Sequence, residues 1–298
     1  MMKLYTPSAV RDMSERYGIR AVKRFGQNFL TDKNVVDRII EGARIEDGDC
    51  VIEVGPGMGV LTAAAAERAD RVIAIELDRR LMPLLTEALA SYENVRVVNG
   101  DILKTNLLGL LSPGEAAGGR VKIIGNLPYY ITSPVIMRFL EEGPSAVSMT
   151  FMMQKEVAER ICAKAGEKNY SALTVAVRYR CETSLIMNVS REVFIPKPQV
   201  DSAVLRFDVR KEKIAAPQNE TLFFDVVRAG FGKRRKTLLN ALTGLCECGK
   251  SEVYAALNDA GIDAARRAET LDIPEFSAVA DAFCDILRRR GHRGAMLP

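Results

Sequence analysis

Histidine is nearly absent from this 298-residue chain; His292, close to the end, is the only one. A lone histidine argues against nucleophilic catalysis by a Ser-His or Cys-His pair. The cysteines are dispersed: Cys50, Cys162, Cys181, Cys246, Cys248 and Cys284 form no C-x-x-C pair, so reduced structural thiols are expected and a Cys/His zinc site is not. No metal is expected. Also missing is any apolar run of about 18 residues, the length a membrane helix needs. The opening MMKLYTPSAVRDMSERYG has no apolar segment after its charges, which speaks against a signal peptide. A cytoplasmic location without a membrane partner is the expectation that follows. Internal repeats and low-complexity tracts are absent as well.

What is present is a globular composition, 48% hydrophobic, in a chain long enough for one sizeable domain and a smaller one. The net charge of +4 is modest but unevenly placed. Residues 1–24 carry six Lys/Arg against two acids, 233–236 read KRRK and 288–293 read RRRGHR. Any one cluster is also what a solvated face looks like; three of them suit a polyanion's phosphates.

The chain is organised around VIEVGPGMGVLT, residues 51–62. Val51, Ile52 and Val54 read as a buried parallel strand, which breaks at Gly55, Gly57 and Gly59 before helix formers from Leu61 to Arg68. Glycines in such a turn let the backbone pass close to a ligand where a Cβ would collide. The spacing G-x-G-x-G differs from the G-x-G-x-x-G of dinucleotide folds, and a plain tight turn would look similar. Downstream, the apolar runs VIEVG, VIAIE, VRVVNGD and VKIIGN end on Glu53, Glu76, Asp101 and Asn126, at intervals of 23, 25 and 25 residues. Those intervals suit successive strand-helix units of a parallel sheet, whose ligands sit at the carboxyl ends of the strands. Glu76 is then placed for a ribose diol and Asp101 for a purine's exocyclic amine, although either acid could instead cap a helix. A nucleoside-type cofactor is the expectation.

Residues 1–24 read as a basic, loosely packed arm. Thr31 or Asp32 can cap a helix through VVDRIIEGA, with Gln27 to Leu30 just ahead of it. Helices are expected at 60–68, 79–90 and 133–141, a loop at SPGEAAGGR, and a fifth strand at VSMTFMMQ leading into the helix QKEVAERICAKA. YSALTVAVRYRC reads as a further helix, and the strands SLIMNV and SAVLRFDV flank an extended loop, REVFIPKPQVD. Polar KEKIAAPQNE with Pro217 marks a boundary, beyond which only helical spacing appears. The expected domains are 1–212, binding the cofactor, and 213–298, small and helical.

The fourth strand runs into Asn126-Leu127-Pro128-Tyr129. The amine of adenine or cytosine is a poor nucleophile because its lone pair is delocalised into the ring. An Asn oxygen and a main-chain carbonyl can each accept one of its N–H groups, favouring the tetrahedral form without a general base. Pro128 restrains the turn presenting that carbonyl, and Tyr129 offers a flat face to a flipped base. A strand-ending Asx turn with a structural Tyr is the bland alternative. Phe194 in VFIPKPQVD is a second aromatic candidate, for the other face.

KRFGQNFLTD, EVGPGMGVLT, IELD, NGDIL, GNLPYYITSP, QKEVAERI, VFIPKPQVDSAV and RAGFGKRRKTLLNAL together resemble the bacterial small-subunit ribosomal RNA adenine N6-dimethyltransferases, within the class I S-adenosylmethionine-dependent methyltransferases. KNYSALTV departs from the pattern by lacking a glycine ahead of its helix. The resemblance implies an α/β, Rossmann-like sheet of seven mostly parallel strands with the last antiparallel, and a small all-helical C-terminal domain. It implies a monomer that binds S-adenosylmethionine, releases S-adenosylhomocysteine, and dimethylates two adjacent adenines near the 3' end of 16S ribosomal RNA in the immature small subunit. By it, Gln27, Asn28, Leu30, Gly55, Gly57, Glu76, Leu77, Asp101, Ile102 and Asn126 line the cofactor. Asn126, Leu127, Pro128, Tyr129 and Phe194 would receive the adenine, while Lys23, Arg24, Arg234, Arg235 and Lys236 would contact RNA. Competing expectations are the resistance methylases of large-subunit RNA, methylation of a glutamine amide through a similar Asn-Pro-Tyr element, and an assembly factor whose binding outweighs its turnover.

Overall fold

The computed structural model describes residues 5–19, 26–117, 119–233 and 235–294, the last four as helical backbone. In chain order the elements are α1 (Pro7–Arg16), β1 (Phe29–Leu30), α2 (Lys33–Ala43), β2 (Cys50–Val54), α3 (Val60–Ala66), β3 (Arg71–Glu76), α4 (Met82–Ala88), β4 (Val95–Asn99), α5 (Pro113–Ala116), β5 (Val121–Asn126), α6 (Thr132–Glu141), β6 (Ala146–Gln154) and α7 (Lys155–Cys162). Then follow α8 (Ala172–Arg180), β7 (Cys181–Val189), β8 (Phe194–Ile195), β9 (Ser202–Val209), α9 (Glu220–Gly232), α10 (Leu238–Leu242), α11 (Lys250–Asp259) and α12 (Ile273–Gly294). By packing the chain forms two compact units, Met1–Ala158 with Glu182–Val209, and Glu159–Cys181 with Arg210–Pro298. The chain passes between the units three times, at 158/159, 181/182 and 209/210, where the sequence offers a single boundary at 212/213; the assignment of residues 159–181 to the helical unit is visible only in the packing.

The first unit holds a seven-stranded sheet ordered β4-β3-β2-β5-β6-β9-β7. Strands β2 to β6 are parallel, paired as Ile52 with Ile73 and with Ile123, while β9 runs antiparallel to β6. This is the mostly parallel sheet with one antiparallel strand that the resemblance implies. Val51, Ile52, Val72, Ile73 and Ala74 are wholly buried, as expected where both faces of a parallel sheet are covered. The chain steps outward from β2 through β3 to β4, then returns to place β5 on the other side of β2. Strand order therefore reverses between β2 and β5, and a ligand crevice opens at the carboxyl ends there.

Local signals explain most boundaries. Asp32, rather than Thr31, caps α2: its carboxylate accepts the amides of Asn34 at 2.8 Å and Val35 at 3.4 Å. Four expectations are corrected. Residues 7–16 are not a loose arm but helix α1, begun by the Thr6 cap and Pro7, with Val10 and Met13, three residues apart, buried on one face. SPGEAAGGR contains one helical turn, closed by a Ser112–Glu115 capping box. REVFIPKPQVD contains the short strand β8, which pairs antiparallel with β1. β4 ends at Asn99, so Asp101 lies beyond the strand, not on its last residue.

The second unit is helical. Its core centres on Tyr179, whose ring stacks on Phe223 at 4.9 Å and meets Phe224 edge-on at 5.4 Å, and on the wholly buried Phe276 and Phe283. No helix among the described residues is long and apolar enough to cross a membrane.

Candidate functional site

The crevice at the β2/β5 switch is a cleft of about 1050 Å³, counting the solvent space at its mouth. Five stretches form it: Gly26–Leu30, the end of β2 with its glycine turn, the end of β3 with the residues after it, Gly100–Ile102 after β4, and Asn126–Ile131 at the end of β5.

The glycine turn requires glycine. Gly55 has φ +66° and Gly57 φ +58°, in the left-handed region, and a Cβ on Gly57 would stand 3.3 Å from the Phe29 ring. No atom lies within 4 Å of a Cβ built on Gly55, so the backbone is open to a ligand there. The Gly57 amide donates to Glu76 Oε2 at 3.2 Å and the Asp78 amide to Oε1 at 2.7 Å. Glu76 is 6% exposed, and burial pushes its carboxyl up to about 7 against the pull of those two amides. The main-chain carbonyl of Glu76 accepts from Gly100 N at 2.9 Å and from Asn99 Nδ2 at 2.8 Å, which ties the end of β4 to it. Asp101 accepts the Leu103 amide at 2.9 Å, a turn-forming bond. Glu53 is deeper still: it accepts the Thr62 hydroxyl at 2.5 Å, and burial raises it to about 8, with the Glu76 charge adding to the rise.

Asn126 has a forced orientation. Its side-chain amide donates to the main-chain carbonyl of Asn28 at 3.0 Å, and since a carbonyl can only accept, the bonding atom must be Nδ2. Oδ1 is thereby left as the acceptor. In the turn that follows, the Leu127 amide donates to Met152 O at 3.0 Å and the Pro128 carbonyl accepts the Ile131 amide at 3.1 Å. Tyr129 is half-buried, its hydroxyl 2.9 Å from Ser202 Oγ, and burial raises its pKa.

The structure brings together Gln27, Asn28, Leu30, Gly55, Gly57, Glu76, Leu77, Asp101, Ile102, Asn126, Leu127, Pro128 and Tyr129 as lining of one cleft. Phe194 is the exception. It is 3% exposed in β8, opposite Leu30, within the hydrophobic core and not in the lining. Such burial suits packing, not a free face for a base. Sequence reasoning passed over Tyr130, 55% exposed in the lining, and Asp78, which holds Gln27 Nε2 at 2.9 Å. The Arg80 guanidinium keeps Asp78 down at about 2. The IELD motif was the only signal for Asp78.

Of the basic candidates, Lys23, Arg24 and Arg234 lie outside the described residues. Arg235 and Lys236 are exposed, with no ion pair among the described residues. Arg290, in the last cluster, is instead spent on structure: its guanidinium bonds Glu252 at 2.5 Å and the Cys246 carbonyl at 3.2 Å. No group of His, Cys, Asp and Glu among the described residues could hold a metal ion.

The model of the family described as ribosomal RNA adenine dimethylase matches residues 18–283. A relative from Clostridioides difficile, named ribosomal RNA small subunit methyltransferase A, is 46% identical over 281 residues, covering 94% of this chain and 97% of its own. One of the same name from Geobacillus thermodenitrificans is 43% identical over 286 residues, covering 95% and 98%. Among solved structures, a dimethyladenosine transferase from Plasmodium falciparum superposes with TM-score 0.72 at 27% identity, over 84% of this chain and 95% of that one. The 23S rRNA methyltransferase ErmE superposes with TM-score 0.65 at 30% identity, over 86% and 99%.

Proposed function

This chain belongs to the ribosomal RNA adenine dimethylase family, and from that premise we propose that it transfers methyl groups from S-adenosylmethionine to N6 of two adjacent adenines near the 3' end of 16S ribosomal RNA, in the cytoplasm, as a monomer acting on the immature small subunit. The observation that carries the reading is the Asn126–Asn28 bond, which leaves Asn126 Oδ1 as an acceptor at the cleft. The curated relatives named for the small subunit, at 42–46% identity, favour that RNA over the large-subunit RNA named for ErmE at 30%.

The cleft suits the cofactor chemically. Glu76 supplies two carboxylate oxygens for a ribose diol, Asp101 an acceptor for an adenine amine, and the bare backbone at Gly55 room for close approach. Gln27, Asn28, Leu30, Leu77 and Ile102 complete the wall. Once bound, S-adenosylmethionine supplies an electrophilic methyl group. The chain's own part is to receive and orient the amine. Asn126 Oδ1 and the Leu127 carbonyl each accept one N–H, which turns the nitrogen lone pair out of conjugation and leaves no task for a general base. Tyr129 holds the flipped base by its ring face. After the first transfer a single N–H remains, so one of the two acceptors suffices for the second. Residues 213–298, with Arg235 and Lys236, would contact ribosomal RNA.

Incubation with methyl-labelled cofactor and, separately, free ribosomal RNA, immature small subunits and large subunits tests the reading. Label is expected as N6,N6-dimethyladenine in the small-subunit particle. Label confined to the large subunit would transfer the reading to the resistance type. Asn126→Ala should still bind subunits while methylation falls by about 10²-fold or more; a variant that lost both would tie binding to the catalytic site.

A further inference from the structure

The resemblance assigns the segment FIPKPQVDS to the target base through Phe194, yet that ring is packed in the core. The same segment reaches the site at another residue. Ser202, the first residue of β9, is wholly buried, and its Oγ lies 2.9 Å from the hydroxyl of Tyr129. Its own position is tightly defined. Ser202 faces Gln154 in the β6–β9 ladder, and the preceding Asp201 is fixed from two sides: its carbonyl accepts the Lys155 amide at 3.1 Å and its carboxylate the Arg191 amide at 3.0 Å.

Tyr129 needs such an anchor. It sits in a short turn at the cleft, where χ1 and χ2 would otherwise let the ring swing, and stacking depends on the angle of the ring face. A hydroxyl-to-hydroxyl bond to a rigid strand removes that freedom at the far end of the ring. We propose that Ser202 is a positioning residue for methyl transfer, holding the Tyr129 ring at the angle at which it receives the target base. The inference rests on the proposed function for its consequence, though not for the bond itself.

A double-mutant cycle tests it. Ser202→Ala and Tyr129→Phe each remove the bond and keep the ring. Each should slow single-turnover methylation, at saturating cofactor and RNA, by about 2- to 12-fold, the worth of one net hydrogen bond. The double variant should be no slower than the slower single, and cofactor affinity should not change. Losses that multiply, or a Ser202→Ala enzyme at the parent rate, overturn the inference, because a merely structural serine would not be coupled to the Tyr129 hydroxyl. If Ser202→Ala does not fold, Tyr129→Phe decides alone, and the parent rate there overturns it. A readout independent of methylation is NMR of 13C-labelled tyrosine in the parent and in Ser202→Ala or, failing that, Ser202→Cys. The Tyr129 ring carbons should shift and the ring should flip faster; an unchanged ring overturns the inference. A parent that methylates no ribosomal RNA defeats the proposed function, and the NMR result then stands by itself.

Discussion

The amide of Gly57 donates to Oε2 of Glu76 across 3.2 Å, joining the glycine turn after β2 to the acid that ends β3. One half of the cleft is thus organised by the chain's own contacts. Under the proposed function, that bond would hold the acid for a ribose diol beside the backbone left open at Gly55.

Glu76→Ala should weaken S-adenosylmethionine binding by about 1–3 kcal/mol, the range for a buried polar group left without its partner. Calorimetric titration measures this directly. An unchanged affinity would show that Glu76 only supports the glycine turn.

The same acid predicts a pH dependence. Glu76 and Glu53 have carboxyls raised by burial to about 7 and about 8. Between their ordinary value near 4.5 and those values, the folded chain binds more protons than the unfolded chain, so their contribution to stability is greatest below 4.5 and is lost as pH rises toward 8. Cofactor binding should run the opposite way, since two ribose hydroxyls donate best to ionised Glu76. Affinity should increase through pH 7, and Glu76→Gln should flatten that increase. A titration of the parent that is flat between pH 6 and 8 would contradict the assignment; these limits bracket the shift to about 7.

Asn126→Ala removes an acceptor whose bond strengthens as the amine becomes tetrahedral. Groups of that kind are worth about 10²-fold or more in rate. Single-turnover methylation should fall by that factor with cofactor affinity nearly retained. A similar loss in both quantities would mean that Asn126 serves chiefly to anchor the Asn28 segment.

Tyr129→Ala removes the ring as well as its anchor. Base stacking is worth about 1–3 kcal/mol, or roughly 5- to 150-fold in rate. The activity order should be parent, Tyr129→Phe, Tyr129→Ala, Asn126→Ala. Equal damage from Phe and Ala would assign the effect to the hydroxyl alone.

Charge reversal at Arg235 and Lys236 should weaken binding to small-subunit RNA and lower its salt slope by about one for each phosphate no longer neutralised. Arg290→Ala should instead lower the melting temperature without changing that slope, because its guanidinium is engaged with Glu252 and the Cys246 carbonyl. Filter binding across a salt series, beside a thermal melt, separates the two roles. A salt slope that responds equally to both substitutions would place Arg290 at the RNA as well.

Sequence alone determined what depends on near neighbours along the chain. Strand-helix alternation, a helix start at Thr31 or Asp32 and the glycine turn are set by apolar spacing, by short oxygen-bearing side chains ahead of free amides, and by backbone angles that only glycine adopts easily, while the choice of Asp32 over Thr31 came with the structure. Because parallel strands place their carboxyl ends on one edge, the same local pattern was enough to bring Glu76, Asp101 and Asn126 to one cleft. Tertiary structure decided the rest, where partners lie far apart in the chain. Periodicity cannot show that Ser202 meets Tyr129 from 73 positions away, that Asn28 turns the Asn126 amide from 98, or that Asp78 holds Gln27 from 51. It equally cannot tell that Phe194 packs inward against β1, or that Val10 and Met13 dock a segment whose composition reads as a loosely packed arm. Composition sets what a side chain can do; which atom it meets is settled only when the strands carrying the partners are brought side by side.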